Sequence, residues 1–174
     1  MSHRHVLPFI GIISLVSYFW YCILTPQVWH FVDFLNLIFH EAGHTITIFF
    51  PDIITALGGS ILQILIPIVC AGYFYQRGEL LSANLISLWV AQNLSSVSLY
   101  VRDAPLMNLP LLGGESVIHD WNFILSTIGI LDKSSLLANV FLIIGYTILV
   151  VSTILIVQYF WHPIEGGDSV KTGK

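Results

Sequence analysis

The sequence predicts an all-α membrane protein of about five transmembrane helices plus one short partial or re-entrant helix. Three observations predict it. The 174 residues are 56% hydrophobic and only 9% charged, whereas soluble domains carry about a quarter charged residues. Mean hydropathy is +0.84. The apolar residues also fall into long runs separated by short polar or proline-containing breaks, each run long enough or nearly long enough to cross a hydrocarbon core of about 30 Å. Residues 1–161 then form a single integral membrane domain, and residues 162–174 a polar tail expected to be disordered.

The first run, residues 6–24, follows Arg4. It lacks a small-residue cleavage site, so a retained first transmembrane helix is expected rather than a signal peptide. Thr25-Pro26 breaks it. The second span, residues 28–50, ends at Pro51, and its polar residues are not scattered. His30, Asp33, Asn36, His40, His44 and Thr47 recur every three or four positions, one polar stripe on an apolar helix. In lipid such a stripe must face other helices or a wet cavity.

Pro51 to Ser60, with Gly58-Gly59, is expected to be a turn or re-entrant loop. The third span, roughly 60–75, carries Gln63 and Pro67, and Gln76-Arg77-Gly78-Glu79 is a polar turn. The fourth span, about 80–101, is rich in Asn, Gln and Ser, the usual polar contacts between membrane helices. Residues 102–118 form the longest non-spanning stretch. It leads into His119-Asp120-Trp121-Asn122 and a short apolar segment, Phe123 to Leu131, which is too short to span and reads as the partial helix. Asp120 lies near its N-terminus, where the helix dipole favours an anion. Ser134 and Ser135 open the last span, about 136–161. Arg4 favours a cytoplasmic N-terminus, while Arg77, Arg102, Lys133 and Lys171 fall on both sides of the bilayer.

Charge excludes one large class of partner. A net charge of −4 with six Lys and Arg offers no basic patch to neutralise phosphates, so nucleic acid is not expected. The expected partners are membrane lipid and a transmembrane or membrane-proximal protein substrate. The two cysteines, Cys22 and Cys70, form no C-x-x-C pair and no disulfide framework.

Chemistry concentrates at Phe39-His40-Glu41-Ala42-Gly43-His44. His40 and His44 are one helical turn apart, so both imidazoles leave the same face. Glu41 stands on the neighbouring strip, within reach of a water held between them. In the H-E-x-x-H arrangement the two His bind zinc and the Glu serves as general base. A hydrolytic zinc needs a third protein ligand and one open position. Asp103, Glu115, His119 and Asp120 are the candidates, and Asp120 is favoured because a carboxylate neutralises more of the ion's charge at low dielectric. His119 is the alternative third ligand, and Asp103 the fallback. Backbone near Gly59, or the amides of Gln63 and Asn93, are candidates to support a substrate or oxyanion.

The segment Phe39 to Thr45 on a membrane helix, followed by Gly58-Gly59 and a polar-faced helix, resembles the site-two protease group of intramembrane zinc metalloproteases. The resemblance covers residues 34–76, well under half of the chain. It implies one zinc ion bound by His40 and His44, Glu41 as catalytic acid/base, and cleavage of membrane-embedded protein substrates. The group's ligand Asp usually stands in Asn-Pro-Asp-Gly or Leu-Asp-Gly, which this chain lacks; its nearest substitute runs from Gly113 to Asp120. No PDZ-like insertion is present. The chain also resembles small bacterial membrane proteins that join an H-E-A-G-H helix to a Gly-Gly and His-Asp-Trp-Asn segment, which implies a bacterial cytoplasmic membrane.

The expected function is therefore an intramembrane zinc metallopeptidase using a metal-activated water. The alternative is a non-catalytic metal-binding membrane protein with a structural, sensing or transport role. A third reading, an enzyme acting on a lipid or another amide, would use the same water. Glu41 separates the first two, since a structural site needs no carboxylate beside its His pair.

Overall fold

The computed structural model describes the backbone of residues 3–109 and 118–161, and side chains from Phe9 onwards within those ranges. The tail at 162–174 and the candidate ligand Glu115 lie outside the described residues. Among the described residues the chain is entirely helical: α1 His3–Leu24, α2 Phe31–Thr47, α3 Asp52–Gln76, α4 Leu80–Asp103, α5 Asp120–Thr127 and α6 Ser134–Trp161. A single 3-10 turn, Leu131–Lys133, leads into α6.

Two of these helices are long and apolar enough to cross a membrane, Asp52–Gln76 and the continuous stretch Leu131–Trp161, with mean hydropathies of 2.2 and 2.8. The polar stripe on α2 and the Asn, Gln and Ser of α4 dilute the hydropathy of those two helices. The same residues make α4 the structural centre. It packs against α1, α3 and α6, and it carries the most buried positions, including Leu88, Ala91 and Val101.

The core divides into two apolar clusters, both crossing α4. One joins α1, α2 and α6 through Phe19, Ile23, Val32, Leu149 and Ile156. The other lies under α5, where Trp121, Ile124 and Leu125 pack on Ala56, Val97, Val101 and Ala138. Small residues let the helices approach: Ser98 Oγ donates to the carbonyl oxygen of Ala138 at 2.8 Å, and Gly145 faces the Ala91 carbonyl.

The structure corrects one sequence expectation. Pro51 to Ser60 is not a loop; α3 starts at Asp52, directly after Pro51, and runs through Gly58 and Gly59. The glycines serve packing rather than turning. A Cβ on Gly43 would collide with the Gly58 carbonyl, and one on Gly58 with Thr47 and the Gly43 carbonyl. Two glycines on facing turns thus bring α2 and α3 into backbone contact, which sequence reading mistook for a break. The turn at Gln76–Glu79 is as expected, with Gly78 at φ +76°, a left-handed conformation that suits glycine.

Candidate metal centre

The stripe on α2 faces a half-open cavity of about 1040 Å³ that α3, α4 and α5 also line. Its residues enter the cavity wall in register, His30, Asp33, Asn36, His40, Glu41 and His44, so the cavity follows α2 for about four turns. At one end three ligand atoms converge. Asp120 Oδ2 lies 3.0 Å from His40 Nε2 and 3.3 Å from His44 Nε2, and the three donor atoms lie within 4.8 Å of one another. These residues could hold a metal ion.

Hydrogen bonding fixes which face of each ring looks inward. His44 Nδ1 is 2.8 Å from the carbonyl oxygen of Thr55. A carbonyl only accepts, so Nδ1 carries the proton and Nε2 presents its lone pair. His40 Nδ1 likewise donates to Gln63 Oε1 at 3.1 Å. Two imidazole lone pairs and a carboxylate oxygen therefore face one another with no proton of their own between them. A bound cation, or a proton on either ring, makes that arrangement favourable, and one N–H-to-oxygen bond behind each ring is the usual support of a ligating His.

Space for the ion is preserved by Gly59. A Cβ there would lie 2.6 Å from His44 Nε2 and 2.7 Å from His40 Nε2. The donor set and this cradle both fit a four-coordinate ion with three protein ligands. His44 is only partly buried, so the site opens to the cavity on one side.

Asp120 comes from the first turn of α5, and several side chains hold it there. The hydroxyl of Tyr100 accepts from Asp120 N at 3.1 Å and donates to Oδ2 at 3.2 Å. Trp121 Nε1 donates to Ser60 Oγ, and Asn122 Nδ2 to the Ala104 carbonyl. His119 caps the helix: its Nδ1 accepts from the backbone N–H of Asn122 at 3.2 Å. Its one lone pair is thereby spent, and Nε2 points to Asp103 Oδ2 at 3.4 Å, a contact just short of a hydrogen bond. Burial pulls the His119 pKa below its ordinary value, against the opposing pull of Asp103. The ring is thus a neutral cap and not a ligand. Asp103 is also engaged elsewhere, accepting from the backbone N–H groups of Asn108 and Leu109 at 3.0 and 2.9 Å.

The other named residues separate. Glu41 lines the same cavity, is exposed, and its carboxylate has no hydrogen-bonding partner among the described residues. Gln63 lines the cavity with its carbonyl oxygen engaged by His40 Nδ1. Gly59 makes room for an ion rather than offering its amide. Asn93 lies away from the cavity wall, fully buried, with Nδ2 donating to the Trp89 carbonyl on its own helix. Sequence reading passed over Tyr100 and Thr55. Tyr100 follows Gln92 and Ser96 at helical spacing, a stripe on α4 facing the one on α2 that could have drawn attention to it.

Tyr100→Phe keeps the ring and removes both contacts to Asp120. Zinc affinity is expected to fall about 10- to 100-fold, as is usual when a ligand loses its hydrogen-bonding support, read from competition with a chromophoric chelator. An unchanged affinity would mean that α5 holds Asp120 without it. Compared with protein-family models, with curated proteins and with solved structures, the chain matches none.

Proposed function

We propose that the chain is a multi-pass membrane metallopeptidase of site-two protease type, with α1, α2, α3, α4 and α6 as its five spans and α5 as the short partial helix. The outer surface supports the membrane reading. Phe31, Ile38, Ile46, Phe49 and Ile143 are each more than 60% exposed, and apolar surface spread over several helices suits lipid better than water. α2 has 17 residues, at the short end of what spans a bilayer.

One observation carries the catalytic reading: two imidazole lone pairs and a carboxylate converge on a cavity that Glu41 also lines. A zinc ion held by His40, His44 and Asp120 would supply a Lewis acid and lower the pKa of water to about 7. The chain's own groups do the rest. Glu41 accepts a proton from water and returns it to the leaving amine of the cleaved peptide bond. Gln63 and Thr55 keep the two rings from turning, and Tyr100 keeps Asp120 from swinging away. The apolar walls formed by Phe34, Leu37, Leu99 and Phe123 limit bulk water. The free Glu41 carboxylate favours this reading over a purely structural metal site.

The purified protein should contain about one zinc per chain, consistent with a single three-ligand site. It should cleave an apolar peptide, lose that activity to a chelator, and regain it with added zinc. Asp120→Ala should remove the metal, whereas His119→Ala should keep it and cost only the roughly 1 kcal/mol of a lost helix cap. A metal-free wild type, or cleavage indifferent to chelation, would overturn the proposal.

A further inference from the structure

Above the metal site, one turn back along α2, the cavity wall carries a hydrogen-bonded chain that the reaction does not use. Trp89 Nε1 donates to Asn36 Oδ1 at 2.8 Å, Asn36 Nδ2 to Gln92 Oε1 at 2.7 Å, and Gln92 Nε2 to Asp33 Oδ1 at 2.8 Å. An indole nitrogen only donates, so Trp89 fixes the orientation of Asn36, and Asn36 that of Gln92. The other end closes on Asp33, whose Oδ2 accepts from the backbone N–H of His30 at 2.7 Å.

Each amide has made one donor and one acceptor bond. Among the described residues, each therefore keeps one N–H and one carbonyl lone pair uncommitted. Asn36 and Gln92 are 2% and 4% exposed, yet both line the cavity. The second N–H and second carbonyl lone pair of each amide suit an occupant with alternating donors and acceptors. A polypeptide main chain has that pattern.

Spacing agrees. Asn36 precedes His40 by four residues, about 6 Å along a helix rising 1.5 Å per residue, or about two residues of extended chain at 3.3 Å each. Charge narrows the occupant further. No Lys or Arg lines the cavity among the described residues, and the sequence 110–117 contains none. Arg77 pairs with Glu79, and Arg102 donates to Asn139. Beside Asn36 and Gln92 a phosphate headgroup or a chain-terminal carboxylate finds no Lys or Arg and meets the Asp33 carboxylate, whereas an uncharged internal stretch needs no charge partner.

We infer that Asn36 and Gln92 form a docking site for the main chain of an extended, internal polypeptide stretch, gripping it two residues from the bond that lies over the metal site. The inference rests on the peptidase reading above, and it assigns the main-chain contact to these two side chains.

The test uses the full-length zinc-loaded chain carrying Glu41→Gln, so that binding is read without turnover. The probe is a capped apolar peptide of about nine residues, long enough to run the length of the cavity, with analogues N-methylated at one amide at a time. One position should lose about tenfold in affinity, the loss of a single main-chain hydrogen bond, while its neighbours lose little. Gln92→Leu and Asn36→Leu should bind the parent peptide less tightly and erase that position-specific difference, with retained zinc reporting an intact fold. The N-methyl series on otherwise unaltered residues needs neither variant to fold. Equal affinity across the series, or a position-specific loss unchanged in both Leu variants, overturns the docking site. Position-specific binding in a chain whose wild type cleaves nothing would refute the peptidase and leave the docking site; cleavage without position dependence would do the reverse.

Discussion

Gly59→Ala is expected to empty the metal site while leaving the fold standing. The added methyl carbon would meet the Nε2 atoms of His44 and His40 at 2.6 and 2.7 Å, in the space where an ion must sit. Those atoms are the far ends of two side chains, so the rings can turn aside and the backbone need not move. The helix itself gains, because Ala is about 1 kcal/mol better than Gly in a helix interior. Bound zinc should fall to roughly a tenth of wild type or less, since both His must leave tetrahedral geometry at once. Helicity by circular dichroism should be unchanged. Gly72→Ala is the control, because a Cβ there meets nothing within 4 Å. Full zinc occupancy in Gly59→Ala would show that the ion sits elsewhere.

Glu41→Gln should separate chemistry from metal binding. The substitution keeps size and hydrogen-bonding capacity and removes the group that takes the proton. Positioned acid–base groups contribute about 10²- to 10⁴-fold in rate, and cleavage of an apolar peptide is expected to fall by that factor. Zinc content should not change, because the converging ligand atoms belong to His40, His44 and Asp120. Zinc lost together with activity would make Glu41 a ligand instead of a base. Unchanged cleavage would remove it from the reaction.

Features that depend on local spacing are legible in the residues alone. His40, Glu41 and His44 share a helix, so their relation follows from 3.6 residues per turn. The α2 stripe, the turn at Gly78 and a short helix near Asp120 are equally local, though that helix runs from Asp120 to Thr127 and not from Phe123 to Leu131. The preference for Asp120 over His119 rested on charge alone. The rest of the site depends on residues far apart in the chain and emerges only with helix packing. Asp120 meets His40 across a separation of 80 residues. His119 is withdrawn from the site because the Asn122 N–H consumes its lone pair, which no spacing rule reveals. Gly58 and Gly59 read as a break, since glycine favours turns in isolation, yet they lie inside α3. There the absence of a side chain brings α2 close and leaves space for an ion between two imidazoles. Gln63 and Asn93 are both polar residues on apolar helices. Their different rotational settings give one to His40 and bury the other, a distinction fixed by helix packing and not by residue type.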